Sequence, residues 1–264
     1  MVRENEYRGS DGRHEPRHDG WHAGPNAVLD HDPSGGEETD LAHARSARYV
    51  GIITDGNRRW ARARGLSMSE AHNAAADTLG DRVRDAAELG VRELTAYVFS
   101  TENWSRPATE VQRLMQMFAR RIPVEAAALH RQGIRMRFLG RREGLPAELA
   151  EQMQFVQSLS HANPRMTLYL AFNYGGRAEI VQAARRFAGA TEEAFRRCLF
   201  DPQMHDPELI IRSGGEQRLS NFLLWQSAHS ELVFRDELWP DFTRLALEES
   251  LREFRHRTRR FGGR

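Results

Sequence analysis

Several features that would decide a function class at once are missing from this chain of 264 residues. It carries one cysteine, Cys198, so no disulfide can close within the chain and a cysteine-based zinc site is not expected. That usage fits a reducing, cytoplasmic setting. No apolar run approaches the roughly 18 residues needed to span a bilayer, so a lipid substrate would be met from the aqueous side. The polar N-terminus also lacks the apolar segment of a signal peptide. Charge of one sign is not in excess: 38 Lys and Arg face 37 Asp and Glu, for a net charge of +1. A nucleic-acid binder is expected to show a basic surplus, and none is present. Neither the Walker phosphate loop nor the dinucleotide glycine fingerprint occurs. Basic residues gather only locally, as in Arg58-Arg59-Trp60-Ala61-Arg62-Ala63-Arg64 and at the C-terminus. Such clusters in a balanced chain suit a small anionic ligand better than a long polyanion, although a solvated charged face is the ordinary reading of any one of them.

What is present divides the chain in two. Residues 1–46 are rich in Gly, Asp, Glu, Arg and His and poor in apolar side chains. That composition cannot bury enough surface to offset the entropy of ordering, so a disordered polar tail is expected. The irregular spacing of His14, His18, His22, His31 and His43 argues against a metal-binding tail. Residues 47–264 are expected to form one folded domain, and the 40% hydrophobic content of the chain is enough for a sizeable core.

Within that domain short apolar runs alternate with helical patterns. Strands are predicted at Tyr49–Ile53, Leu94–Phe99, Ile134–Leu139, Met166–Phe172, Leu209–Ile211 and Glu231–Phe234. Helices are predicted at 69–89, 110–132, 146–158, 177–187 and 245–256, with Gly90 and Gly133 closing the first two. The alternation predicts an α/β fold: one domain with a central parallel sheet of about six strands flanked by helices. Ligands of such sheets bind beyond the carboxyl ends of the strands, which puts Asp55, Ser100, Asn173 and Arg212 on one rim.

Three stretches on that rim suit diphosphate chemistry. Asp55-Gly56-Asn57-Arg58-Arg59-Trp60 follows a strand and opens a helix, so a tight turn, exposed N–H groups and two guanidinium forks meet there. An aspartate in such a place repels phosphate unless a hard cation such as Mg²⁺ lies between them. Phe99 to Pro107 is polar with two aromatic residues, the composition of a loop that closes over a substrate. Ile211 to Phe222 sets Arg212 and Arg218 around the Gly214-Gly215 pair, with a Ser220 hydroxyl beyond, as a second anion cradle. An Asp-Gly-Asn turn, a plain connection and a surface carboxylate at Glu231 are the ordinary alternatives for each part taken alone.

Taken together, these stretches resemble the cis-prenyltransferase family, which includes undecaprenyl diphosphate synthase, over about residues 47–263. Ile52 to Ala61, Tyr97 to Pro107, Asn173-Tyr174-Gly175-Gly176-Arg177, Ile211 to Phe234 and Arg259-Arg260-Phe261-Gly262-Gly263 are similar to its signatures, in order. The resemblance implies an apolar tunnel enclosed by the fold, a homodimer, and extension of an allylic diphosphate, such as geranyl or farnesyl diphosphate, with isopentenyl diphosphate. It implies Mg²⁺ at Asp55 and Glu231. It implies allylic diphosphate binding by Gly56, Asn57, Arg58, Arg59 and His72, with Trp60 beside them. Arg212, Arg218, Leu219 and Ser220 would take the isopentenyl diphosphate. Ser100 and Asn103 would assist proton removal. Thr101, Glu102, Trp104 and Arg106, with Glu110, would form the covering loop. Peripheral contact with a membrane at product release is a further implication.

The sequence departs from the family pattern at Met68, where many members have arginine, and at Ala71 and Ala75, where glycines are usual. The segment between Arg177 and Arg212 is also about ten residues shorter than in the undecaprenyl enzymes. Val98 stands where long-chain members often have alanine, so a short or medium product is expected. An irregular prenyltransferase on the same fold is the alternative within the enzyme class, and a non-catalytic partner subunit the alternative outside it.

Overall fold

The computed structural model describes residues 46–257. The expected tail, except its last residue, and the Arg259 to Gly263 signature lie outside them. Six strands form one sheet: β1 (Tyr49–Ile53), β2 (Glu93–Ser100), β3 (Ile134–Leu139), β4 (Met166–Tyr174), β5 (Leu209–Arg212) and β6 (Glu231–Phe234). Their order is β3-β4-β2-β1-β5-β6 and every neighbouring pair is parallel. Parallel neighbours need crossovers, and helices supply most of them. They are α1 (Asn57–Arg64), α2 (Met68–Glu88), α3 (Ala108–Arg131), α4 (Ala147–Ser160), α5 (Gly176–Arg186), the short α6 (Glu192–Arg196) and α7 (Arg244–His256).

The sheet is apolar on both faces. On β4, Leu168, Leu170 and Phe172 pack with α2, α3 and α4, whereas Tyr169, Ala171 and Tyr174 join a second cluster around Phe222. Strand β2 breaks this alternation. Its register shifts between Tyr97 and Phe99. Tyr97 packs in the second cluster, yet Val98 and Phe99 both pack with the first. A bulge re-aims side chains in this way and is common beside active sites. Its consequence here is that two consecutive residues face the space between the sheet and helices α2 and α3.

Helix α2 starts where its sequence allows a reciprocal cap. Ser67 Oγ accepts from Glu70 N at 3.2 Å, and the Glu70 carboxylate accepts from Ser67 N at 2.8 Å. Two elements depart from the sequence expectation. The Thr101–Ser105 stretch, expected as part of a loop that closes over a substrate, winds into a 3-10 turn. Helix α6 is one turn long, too short for a periodicity to show, and is capped by Thr191 Oγ1.

Candidate active site

The site begins where β1 ends. Gly56 follows Asp55 with φ 107°, and a Cβ there would lie 2.8 Å from the Leu238 side chain, so only glycine fits this turn. Its N–H donates to Asp55 Oδ1 at 2.6 Å. The Asp55 backbone is fixed from the neighbouring strand: its N–H donates to Ser213 Oγ (3.0 Å), whose hydroxyl donates to the Asp55 carbonyl (2.9 Å). Trp239 N donates to the same carbonyl at 2.8 Å. Gly214, with φ 87°, allows Arg59 to approach, since a Cβ there would stand 2.8 Å from its guanidinium.

Arg212 ends β5 beside this turn and is almost wholly buried. Its Nη2 donates to Asp55 Oδ2 at 2.8 Å, and its Nη1 donates to Ser220 Oγ at 2.8 Å and to the Arg218 carbonyl. Ser220 and Asn221 hold positive φ, 48° and 68°, which turns the chain so that hydroxyl and carbonyl both face Arg212. Two polar atoms here are buried without a partner, Arg212 Nε and Asn57 Oδ1. A buried, unpaired polar atom is costly and calls for an explanation. A diphosphate oxygen would satisfy the first, and a hydrated cation the second.

A basic rim beside the Asp55 turn is built from Arg58 of α1 and Arg106, just before α3. Glu110 accepts from Arg58 (3.0 Å) and from Arg106 (3.1 Å), so one carboxylate fixes two guanidiniums. The chain has no lysine, and each fixed cation of the site is therefore a planar fork suited to phosphate oxygens. His72 lies among them. Burial, then the nearby Arg106 and Arg58, push its pKa down to about 4 against the pull of Glu110. At neutral pH it is an uncharged imidazole.

The 3-10 turn closes the third side. Asn103 Oδ1 accepts from Ser100 N at 3.1 Å. Asn221 Nδ2 donates to Glu102 Oε1 at 2.7 Å, linking the turn to the Arg212 segment. Burial raises the Glu102 pKa, but bonds from Asn221, Ser100 and Thr101 outweigh it and hold the carboxyl below its usual range. Trp104 Nε1 donates to Asn173 Oδ1 at 2.7 Å, and its ring meets Phe99 edge-on at 5.2 Å.

These elements surround a cavity of about 350 Å³. One end is polar, with Asp55, Asn57, His72, Asn103, Arg106 and Arg212. The other end is lined by Leu79, Val98, Met117 and Phe118, which also line a second, deeper chamber of about 70 Å³ between the sheet, α2 and α3. A polar mouth thus opens into an apolar channel.

Of the residues expected from sequence, Asp55, Asn57, His72, Ser100, Asn103, Arg106, Arg212 and Arg218 line the cavity directly. Arg59, Ser220 and Trp104 stand one contact behind it, against Asp55, Arg212 and Phe99, and Arg58 and Glu102 stand outside its lining, bonded to Glu110 and Asn221. Others are placed elsewhere. Trp60 donates to Asp241 Oδ1 at 2.8 Å and carries Arg64 over its ring at 4.7 Å, a packing role away from the mouth. Leu219 packs on the second apolar cluster, and Thr101 Oγ1 is bonded to Glu102. Glu231 opens β6 opposite Leu209, at the far end of β5 from Arg212, and pairs with Arg257 at 3.0 Å. Within one chain, parallel register separates it from Asp55 by the length of a strand. Sequence reasoning did not single out Ser213, Leu79, Met117, Phe118 or Trp239. Leu79, Met117 and Phe118 have the apolar character of ordinary helical core positions, and nothing in the sequence marks them as lining a channel.

The comparisons agree with this geometry. The family described as "Putative undecaprenyl diphosphate synthase" matches residues 53–262. The chain belongs to this cis-prenyltransferase family. An isoprenyl transferase of Thermotoga maritima is 47% identical over 228 residues, covering 83% of this chain and 98% of that protein. A trans,polycis-polyprenyl diphosphate synthase of Thermobifida fusca, described as (2Z,6E)-farnesyl diphosphate specific, is 42% identical and covers 88% of this chain and 86% of its own length. Among solved structures, lavandulyl diphosphate synthase from Lavandula x intermedia, in complex with dimethylallyl diphosphate, superposes with a TM-score of 0.80 at 34% identity, over 83% of this chain and 99% of that one. A probable undecaprenyl diphosphate synthase from Campylobacter jejuni gives 0.71 at 28% identity, over 82% and 99%. The chain is a prenyltransferase, and its six-stranded parallel sheet flanked by helices is the family's fold.

Proposed function

We propose that this prenyltransferase extends an allylic diphosphate, such as geranyl or farnesyl diphosphate, with isopentenyl diphosphate in a Mg²⁺-dependent reaction. The product is a short to medium Z-polyprenyl diphosphate. One observation carries the reading: the Asp55–Arg212 mouth, at the carboxyl ends of adjacent strands, opens straight into the apolar channel behind Val98. A diphosphate head and an isoprenoid tail are the two halves of a substrate that such a space fits.

The donor set suits Mg²⁺. Among the described residues no three acidic, His or Cys side chains gather into a metal cage, but Mg²⁺ is commonly held by one carboxylate with substrate phosphates and water. Asp55, about one-third exposed at the mouth, would be that carboxylate. When bound, the ion would neutralise charge developing on the leaving diphosphate.

The chain's own groups do the rest. Arg58, Arg59, Asn57 and neutral His72 bind the allylic diphosphate. Arg212, Arg218 and Ser220 bind the second diphosphate. The allylic carbon–oxygen bond breaks, and its electron pair leaves with diphosphate. The π electrons of isopentenyl diphosphate form the new carbon–carbon bond, and a proton lost from the adjacent carbon leaves the Z double bond. Asparagine is a poor base, so Asn103 orients that carbon and a diphosphate oxygen takes the proton. Arginine forks stabilise the departing charge, and holding both substrates in one cavity supplies proximity. The reading takes the protein as a cytoplasmic homodimer with peripheral membrane contact at product release.

Incubation with labelled isopentenyl diphosphate and geranyl, farnesyl or dimethylallyl diphosphate, followed by chain-length and double-bond analysis, tests the proposal. Linear Z products support it. The likeness to lavandulyl diphosphate synthase, together with Met68, favours a second reading, an irregular coupling. Branched or cyclised carbon skeletons in the same assay would establish that instead.

A further inference from the structure

The deep chamber is apolar on nearly every side, with Val83, Ile122, Leu129, Leu168 and Phe172 among its walls, but two of its lining residues are charged. Arg121 and Glu125 sit one turn apart on α3 and pair at 3.2 Å. Each is also tied across to α2. Arg121 bonds Asp77, and Glu125 meets Arg84 at 3.7 Å, which in turn pairs with Asp81 at 2.9 Å. Arg121 Nε is buried with no partner. These charges therefore lie as a linked strip across the gap between the two helices, at the end of the channel away from Asp55.

The backbone beneath the strip is shaped to receive it. Gly80 lies in the middle of α2, where glycine disfavours a helix relative to alanine. A Cβ there would stand 3.2 Å from Glu125 Oε2 and 3.6 Å from an Arg84 nitrogen. The missing side chain is the space that the charges occupy. Pro123 lies between Arg121 and Glu125, so α3 lacks one backbone donor within the same turn.

We infer that the Arg121–Glu125 pair is an ionic stop that fixes product length. This rests on the reading of the protein as a chain-elongating prenyltransferase. A growing isoprenoid tail advances down the channel as units add at the mouth. An apolar tail is compatible with the walls of the chamber until its end meets the strip. To pass, it must part these linked charges and put its own carbons beside unpaired guanidinium and carboxylate groups, which is unfavourable on both counts. Elongation then gives way to release. The residues act on length and not on bond formation, because they stand at the opposite end of the channel from the diphosphates.

The test compares products of the full-length wild type with those of Arg121→Ala, Glu125→Ala and Arg121→Lys. Both alanine variants are expected to lengthen the main product by at least one isoprene unit, while Arg121→Lys keeps the wild-type distribution. The rate of the first condensation should stay within about threefold of wild type, since the mouth is untouched. Alanine variants that perform the first condensation normally and yield the wild-type distribution would overturn the stop. A second measurement needs no variant: binding of saturated alkyl diphosphates of increasing length to the wild type. Affinity should rise with each added carbon and then stop rising abruptly; a steady rise through all lengths overturns the inference. If the wild type makes no linear Z product at all, the elongation reading itself fails, a result distinct from an unchanged distribution.

Discussion

Arg212 Nη2 lies 2.8 Å from Asp55 Oδ2, and the two side chains differ sharply in exposure: 4% for the arginine and 34% for the aspartate. The guanidinium is fixed beneath the mouth by Ser220 and the Arg218 carbonyl, while the carboxylate keeps a face toward the cavity. The pair comes from adjacent strands, β1 and β5, and from the place where chain connections diverge to the two halves of the sheet. That is where ligands of open α/β sheets bind.

The first prediction follows from this asymmetry. Asp55→Asn keeps an acceptor for Arg212 but loses the negative charge. The fold should survive, with a thermal midpoint close to wild type. Turnover should fall by more than tenfold, a barrier rise above about 1.4 kcal/mol. Steady-state kinetics beside a melting curve checks it. Retention of more than about a tenth of wild-type kcat would remove Asp55 from the role given to it.

The second concerns His72. Its folded pKa of about 4 lies below the ordinary 6.5. Above pH 6.5 the ring is neutral in both states and contributes no slope. Between 6.5 and 4 the unfolded chain takes up a proton that the folded chain does not, so stability falls as pH falls through that window. The loss approaches about 3 kcal/mol at the acid end. Urea midpoints measured from about pH 7.5 down to about 4.5 should drop less steeply for His72→Gln than for wild type. Parallel curves would show that this histidine does not titrate as described.

Much of this arrangement is legible in the sequence. The runs at Tyr49–Ile53, Ile134–Leu139 and Glu231–Phe234 coincide with strands to the residue: central β1 is apolar throughout and buried from Val50 onward, whereas edge strand β3 sets Arg135 and Arg137 between the buried Ile134, Met136 and Leu139. The ends of the Tyr49–Ile53, Leu94–Phe99 and Leu209–Ile211 runs alone place Asp55, Ser100 and Arg212 on one rim. Three things are not written there. The bulge at Val98 depends on pairing with β4, a relation between residues far apart along the chain. The separation of Glu231 from Asp55 depends on register. The contact that turns Trp60 toward Asp241 joins residues 181 apart, and no local pattern encodes it.

The third prediction uses the bulge. Val98 lines both chambers at their junction. Val98→Ala removes side-chain volume where the channel narrows, at a stability cost of about 1–2 kcal/mol. The room gained lies ahead of the Arg121–Glu125 strip, so products should lengthen without the tail passing that strip, while the KM for isopentenyl diphosphate stays near its wild-type value. An unchanged distribution, or a wild-type product of about ten or more isoprene units, a length that packed walls should exclude, counts against a short channel.

The last prediction concerns Met68. It is the first residue of α2 and lines a side cavity of about 210 Å³ with His72, Glu110 and Arg113, next to the main mouth. No guanidinium reaches the mouth from this position. Met68→Arg places one there, beside the imidazole assigned to the allylic diphosphate. A charge-assisted hydrogen bond contributes about 1.5–3 kcal/mol, or roughly a 10–150-fold affinity factor. Arg58 and Arg106 are already committed to Glu110, so like-charge repulsion is partly offset and the lower end of that range is expected. KM for the allylic substrate should therefore fall by about tenfold, with that for isopentenyl diphosphate nearly unchanged. If neither KM moves, the arginines already present supply the full contact and Met68 only packs. If the substitution instead changes which allylic primer is accepted, position 68 selects the primer, and the irregular-coupling reading gains support from a residue rather than from overall likeness.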